Sequence, residues 1–244
     1  MKKLIALVVT GLMSSAAATS AVADTLGLQV GGGYWQPNVD GDVVANVNVE
    51  DELDIEDIGS AYFYFNFEHP LPLVPNLRVA RTHIDKEGNG RLNTNFTFEG
   101  QNFIAGQRTK NKLDLSNTDF TFYYELWDTS GDLDVGVTAR WFKGEVDIGS
   151  TVEENDLVLP MLYVRAEAEL PFTGFYAGGL VNTSSYSGDS IVDGELKIGW
   201  RKKDFILPDF GVELGYRRLD LDVDDSVDID LDLSGAFINI NGNF

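Results

Sequence analysis

From Leu233 to Phe244 the chain reads LSGAFININGNF, and its apolar residues fall on every second position. Ala236, Ile238, Ile240, Gly242 and Phe244 share one face, and Phe237, Asn239, Asn241 and Asn243 share the other. A period of two is the signature of a β-strand with two chemically different sides. In a soluble sheet the Asn-rich side faces water. In a strand that crosses a bilayer the same side faces a polar lumen. Alternation alone does not choose between these, so the remainder of the sequence decides.

The alternation recurs along the chain. Segments 26–36, 60–69, 77–85, 119–127, 133–143, 158–170, 175–186, 191–201, 210–218 and 229–244 predict ten strands, with an eight-strand count as the alternative. In the second, Phe63, Phe65 and Phe67 oppose Tyr62, Tyr64, Asn66 and Glu68. In the sixth, Leu162, Val164, Ala166 and Ala168 oppose Tyr163, Arg165, Glu167 and Glu169. The third carries Arg78 and Arg81, so either phase sends one arginine outward. An arginine facing lipid at mid-membrane costs roughly 2–4 kcal/mol. This predicts Val79, Arg81 and His83 inside, Ala80 and Ile84 outside, and Arg78 snorkelling at the interface. The phase of the Gly-rich seventh strand is undetermined.

The connections alternate too. Those at 70–76, 128–132, 171–174 and 202–209 are short or Pro-rich; those at 37–58, 86–112, 144–157 and 219–228 are longer and charged, with 187–190 a short exception. Short turns at one end and long loops at the other characterise transmembrane barrels. Tyr34, Trp35, Trp127, Trp141, Trp200, Tyr216 and Phe244 fall near the expected strand ends, where interfacial aromatic girdles lie. A hairpin is expected within the long third loop, at 96–98 and 102–106.

The first 23 residues read as a cleaved signal peptide. Lys2 and Lys3 precede an apolar run, and Ala21-Val22-Ala23 ends it. The apolar run is far shorter than the roughly 20 residues a spanning helix needs. Residues 24–244 then form one domain. There is no cysteine, which excludes disulfides and thiolate chemistry. With Lys2 and Lys3 removed, 16 basic residues face 39 acidic ones, a net charge of −23 that makes nucleic acid an implausible partner.

Leader, Gly-rich aromatic first strand, alternating strands and the ending FININGNF together resemble small outer-membrane β-barrel proteins of Gram-negative bacteria, among them an uncharacterised proteobacterial family. The resemblance implies an all-β fold: a transmembrane, antiparallel, up-and-down barrel in the cell outer membrane. It also implies that Ile238, Ile240 and Phe244 carry the signal read by the barrel-assembly machinery. Outer-membrane lipid, lipopolysaccharide and periplasmic chaperones are the implied partners, and a monomer is expected. The resemblance supplies no catalytic residue, no cofactor and no metal site.

A lumen-facing polar network is the candidate site: Glu68, Arg81, Glu125, Arg140, Arg165, Glu167, Lys197, Glu213 and Arg217. Charges of both signs inside a narrow barrel must pair or stay hydrated. They form either a structural plug or the lining of a narrow pore for small solutes. A rim-site hydrolase is the third reading. Ten-stranded outer-membrane proteases of the omptin type use an Asp/His pair facing an Asp pair, and His83 with Asp85 supplies only half of that. The His-x-Ser pair of a membrane lipid-A deacylase is not matched by His83-Ile84-Asp85. The expectation is therefore a protein that is not an enzyme.

The external loops differ in charge. Segment 37–57 has eight acids and no base, and 219–232 has seven aspartates and no base. Segment 86–112 has Lys86, Arg91, Arg108, Lys110 and Lys112 against two acids, and is expected to fold over its acidic neighbours. The Leu-Asp steps from Leu219 read as strand extension with Asp in water. Divalent cations are plausible at the acidic loops, but Asp225 and Leu231 stand where an EF-hand from Asp220 would need Gly and Glu.

Overall fold

The computed structural model describes residues 26–44, 47–55, 59–71, 73–128, 131–186, 189–202, 208–224 and 228–244. The expected signal peptide and parts of several connections, including Glu56, Asp57 and Asp225, lie outside them. Ten long strands form the wall: β1 (Gly27–Val43), β2 (Ser60–Glu68), β3 (Asn76–Thr82), β4 (Asn117–Asp128), β5 (Gly131–Ile148), β6 (Thr151–Glu169), β7 (Phe175–Tyr186), β8 (Asp189–Lys202), β9 (Asp209–Asp224) and β10 (Asp228–Asn243). Each pairs antiparallel with its sequence neighbours, and β1 also pairs with β10 from Gln29–Asn243 to Val43–Ile229. That last ladder closes the sheet into a ten-stranded barrel and leaves no free edge around the closed part of the wall.

The polarity of the wall is inside-out. Phe63, Phe122, Val137, Leu162, Leu196, Ile198, Leu214, Ile238 and Ile240 are exposed on the outer face. Tyr64, Thr138, Tyr163, Glu213 and Asn239, one residue away in their strands, are buried inside. A hydrocarbon solvent demands this arrangement, because a closed barrel satisfies every backbone group internally and shows only apolar side chains outward. Tyr34, Trp141 and Tyr216 mark one rim of the apolar belt, and Trp127, Trp200 and Phe244 the other.

Above the Tyr34–Trp141–Tyr216 rim the polarity reverses without a change of parity. In β9, Glu213 and Arg217 point inward below the rim, and Leu219 and Leu221 point inward above it. The outward partners change from Val212, Leu214 and Tyr216 to Asp220 and Asp222. β10 mirrors this, with Leu219 opposite Leu233 and Asp220 opposite Asp232. The aspartate-rich stretch is therefore strand extension into water. The inward leucines join Val43, Val47, Leu53, Ile55, Ile84, Leu113, Phe142 and Ile148 in an apolar core inside the protruding end of the barrel.

Several boundaries differ from expectation, and this core is the reason. β1 does not stop at Gln36 but runs to Val43, because Val39 and Val43 are buried in the cap. The expected loop 144–157 is instead a hairpin: β5 and β6 pair as far as Ile148–Thr151, turning through Gly149 and Ser150. Pro160 interrupts no β6–β7 ladder, since that pairing ends at Leu162–Thr183. Within the connection 86–112, Phe96–Phe98 pairs with Gln101–Phe103, close to the hairpin expected there. The phase of β7 is now defined, with Tyr176 and Asn182 inward and Phe175 and Ala177 outward.

The third strand has the opposite phase to the one expected. Arg78 is inside: its Nη1 donates to Asn66 Oδ1 at 2.8 Å, and its guanidinium lies 4.3 Å from the Tyr64 ring centroid. Arg81 is exposed outside, in register with Phe63 on one side and Thr118 on the other. Ile84, expected outside, is fully buried in the cap. Arg81 stands close to the rim, where snorkelling removes the mid-membrane cost that argued for the other phase. Trp35, grouped with the girdle aromatics on sequence, is also fully buried inside.

Candidate functional site

The strands bring the lumen charges together in two layers. Nearest the cap, Arg140 of β5 donates from Nε and Nη2 to the two carboxylate oxygens of Asp119 on β4, both at 2.7 Å. The same Nη2 donates across the lumen to Asp193 Oδ2 on β8 at 2.6 Å. Arg217 of β9 forks onto Asp193 at 2.8 and 2.7 Å and reaches Thr82 on β3 at 3.2 Å. Two guanidiniums thus share one carboxylate. Planar bidentate pairing is the geometry for which arginine is suited. Arg140 is 1 % exposed, so nothing but these acids balances its charge.

The second layer lies toward the other end. Arg165 of β6 pairs with Asp134 at 3.0 Å and with Glu167 at 3.3 Å. Glu167 also takes Arg201 of β8 at 2.9 Å and Lys197 at 3.5 Å. Lys197 reaches Glu213 of β9 at 2.7 Å. Glu213 in turn accepts from Tyr176 at 2.7 Å and Asn239 at 2.6 Å. Asn239 donates to Tyr64 at 3.2 Å, and Tyr123 donates to Glu68 at 2.8 Å. The lumen side chains therefore tie the nine strands from β2 to β10 to one another. Between the layers lies a cavity of about 40 Å³, lined in part by Tyr62, Tyr64, Arg78, Asn182 and Glu195. That is room for one or a few water molecules, each occupying about 30 Å³ in the liquid.

Of the nine expected network residues, Glu68, Arg140, Arg165, Glu167, Lys197, Glu213 and Arg217 meet in these layers. Arg81 does not: it is on the outer face, hydrogen-bonded to Thr118 Oγ1 at 2.8 Å, and Arg78 occupies the lumen in its place. Glu125 opposes Asp134 next to a register shift in β5 and is exposed near the narrow-turn end; among the described residues no ion pair involves it. Asp119, Asp134, Asp193, Arg201 and Asn239 were missed. Parity places each of them inward, but their partners lie across the lumen, which alternation within one strand cannot reveal. Ile238, Ile240 and Phe244 are all exposed on the outer face.

The histidines lie apart. His69 sits in the turn after β2, with Nε2 3.2 Å from Pro75 O and Nδ1 accepting from Leu71 N at 3.2 Å. His83 Nδ1 is 3.1 Å from Ser116 Oγ. Ser116 is buried, and its Oγ accepts the backbone N–H of Ile84 at 3.1 Å. Among the described residues no group of three His, Cys, Asp or Glu is placed to hold a metal ion.

Neither a protein-family model nor a curated protein matches this sequence. Among solved structures, the chain is similar to the outer membrane protease OmpT of Escherichia coli at 12 % identity, covering 94 % of this chain and 99 % of that one with a TM-score of 0.47. It is also similar to a Pseudomonas aeruginosa FadL homologue at 8 % identity, 91 % and 90 % coverage and a TM-score of 0.34. The outer membrane protein AlkL in lipid bilayers gives 12 % identity, 96 % and 97 % coverage and 0.29. Likenesses this distant transfer no activity. The architecture stands on the geometry above: a closed ten-stranded barrel, apolar outside and polar inside, is that of a small outer-membrane β-barrel protein, and its place is the cell outer membrane.

Proposed function

We propose that the protein is a closed outer-membrane barrel with a structural or surface-interaction role, neither a solute channel nor an enzyme. The observation that carries this reading is the sharing of Asp193 between Arg140 and Arg217 across the lumen, directly beneath the apolar cap. An aqueous pore lined by these residues would need their charges hydrated and apart. Here they are interlocked at hydrogen-bond distance, with an apolar core stacked above them. The rim-hydrolase reading draws no support from His83, whose ring meets the Oγ of buried Ser116, itself engaged by the backbone N–H of Ile84. The partners that fit are lipopolysaccharide around the belt, periplasmic chaperones before insertion, and the assembly machinery acting on Ile238, Ile240 and Phe244. Divalent cations between acidic strand extensions and lipid phosphates also fit, and one chain suffices to close the wall.

Planar-bilayer recording of the purified, folded protein tests the closed lumen. The expected trace is flat. Discrete, reproducible openings would overturn the reading. His83→Ala tests the remaining enzyme hypothesis: a protease or lipase activity that this change abolishes would overturn the non-enzyme assignment.

A further inference from the structure

The hairpin that leaves β3 presents cations that the barrel does not neutralise. Asp85–Gly88 pairs with Asn111–Asp114, with Gly88 opposite Asn111. The same register reaches a bridge between Arg91 and Arg108, and Thr109 N donates to Gly90 O at 3.1 Å between them. The inner face of this ladder is fixed. Gly88, Gly90, Leu92, Thr109, Asn111 and Leu113 are buried against the cap. A Cβ at Gly88 would run into Leu53 O, and one at Gly90 into Glu52 O. The alternate positions are therefore held outward, and Asn89, Arg91, Arg108 and Lys110 are exposed.

Charge along this outer face changes from the base of the hairpin to its far end. Near the base, Lys112 is neutralised by Glu145 at 2.8 Å and Asp85 at 3.8 Å. Farther along, among the described residues, no ion pair involves Arg91, Arg108 or Lys110. Two arginines stand directly opposite each other, an arrangement that costs stability in a sheet. Elsewhere the chain relieves the same conflict: Asp220 and Asp232 also face each other, and Arg218 bridges both at 2.9 and 2.6 Å. Among the described residues, no acid forms an ion pair with Arg91 or Arg108.

We propose that Arg91, Arg108 and Lys110 form a binding stripe for an extended acidic glycan, a sugar chain carrying repeated carboxylate or sulfate groups. Cross-strand neighbours are about 5 Å apart, and alternate residues along a strand about 7 Å apart. A chain with regularly spaced oxyanions engages all three cations, whereas a lone anion engages the arginine pair only. The planar guanidinium forks suit such oxyanions. The stripe lies on the cap beyond the Trp141 rim, which favours a cell-surface carbohydrate over a bilayer lipid. Glu87, exposed on the same face, stands opposite Lys112 at the base of the hairpin and not opposite the arginine pair; charges farther off are screened at physiological salt beyond about 8 Å.

This inference deepens the surface-interaction part of the proposed function and is independent of conduction. A barrel that conducts yet binds the glycan fails the closed-lumen reading alone, and a closed barrel that ignores the glycan fails this one alone. The test is binding of the folded full chain in detergent to dextran sulfate and to polygalacturonate, with neutral dextran and phosphatidylglycerol vesicles as comparisons. Saturable binding to at least one acidic polymer is expected, weakened by about tenfold or more in R91A/R108A and kept within about threefold in R91K/R108K. Asn89→Lys, which adds a cation and removes nothing, should strengthen binding and serves should the double alanine variant fail to fold. Binding no better than to neutral dextran, a preference for the vesicles, or a folded R91A/R108A protein that binds like the parent would each overturn the proposal.

Discussion

The guanidinium of Arg217 lies over the indole of Trp35, 4.7 Å from the ring centroid. This contact sits where the polar lumen gives way to the apolar cap. Below it Arg217 forks onto Asp193; above it Leu219 and Val39 begin the cap core. Trp35 Nε1 donates to Gly235 O at 3.2 Å, which orients the ring and links β1 to β10 at the closing seam.

Trp35→Ala should therefore loosen cap and seam together. Large-to-small changes at buried aromatics cost about 3–5 kcal/mol, and a desolvated cation–π contact adds up to about 2. A clear drop in the temperature at which heat-modifiable migration is lost is expected. No shift in that temperature would mean the contact is incidental.

Asp193→Ala leaves Arg140 and Arg217 facing each other with only Asp119 between two buried cations. Removing one partner of a buried ionic network costs about 3–5 kcal/mol. Denaturant unfolding in detergent should register this as a lower midpoint. Asp193→Asn should be milder, because the amide oxygen still accepts one hydrogen bond. Equal midpoints for both variants and the parent would contradict the interlocked lumen.

The phase of β3 is open to a paired test. Arg78→Leu removes the bond to Asn66 and the stacking on Tyr64, and should cost about 1–3 kcal/mol. Arg81→Leu places an apolar side chain on the outer face and should change stability by less than about 1 kcal/mol. The reverse order, read from the same unfolding curves, would restore the phase expected on sequence.

Outside the membrane, Lys112, Glu145, Asp114 and Lys143 cluster at the base of the basic hairpin. The hydrogen bond from Lys112 holds the Glu145 carboxyl below the usual range. Burial raises Asp114, but hydrogen bonds from Ser116 and Lys143 outweigh it and hold it low as well. A depressed folded-state value means stability present above the ordinary carboxylate range and lost as pH falls through the lowered value. Lys112 is raised by its bond to Glu145, so its contribution is lost only as pH climbs through that raised value. Protease resistance of the hairpin should thus persist from neutral pH to mild acid and weaken in stronger acid. Glu145→Gln should flatten the acid limb, with an effect below about 1 kcal/mol because its partner Lys143 is half exposed and the pair is screened. An unchanged acid limb would exclude this cluster as its source.

Phe244 closes the seam: its N–H donates to Leu28 O at 2.8 Å and its carbonyl accepts from Leu28 N at 3.2 Å. Its exposed ring lies in the apolar belt at the narrow-turn end. Phe244→Ala keeps the backbone bonds and removes the ring. If the ring is an assembly signal, folded protein recovered from the outer membrane should fall severalfold while refolding in detergent micelles stays near normal. A loss confined to the micelle experiment would assign the ring to stability instead.

Alternation carried most of the architecture. In β2, β5, β6, β8, β9 and β10 the inner and outer residues follow directly from period two, because successive side chains of a strand must point to opposite faces. The same property fails where both phases look equally poor. β3 has an arginine on each face, and only its pairing with β2 and β4 shows that Arg78 meets Asn66 and Tyr64 while Arg81 meets the rim. Parity is also silent about which medium a face meets: Trp35 and Val39 share a face with Gly31 and Gln29, yet only the first two belong to the cap side of the lumen.

By itself, the sequence determined that the chain is built from alternating strands, which residues face in and out in most of them, and the acidity of the strand extensions; it allowed ten strands beside a count of eight. All of these are local periodicities or counts along the chain. The tertiary structure alone decided that Asp193 serves two arginines, that an apolar core stacks above the charged lumen, and that Arg91 and Arg108 stand face to face. The reason is that such contacts join strands whose relative register and distance across the barrel are set by closure of the whole sheet, and no one strand records them.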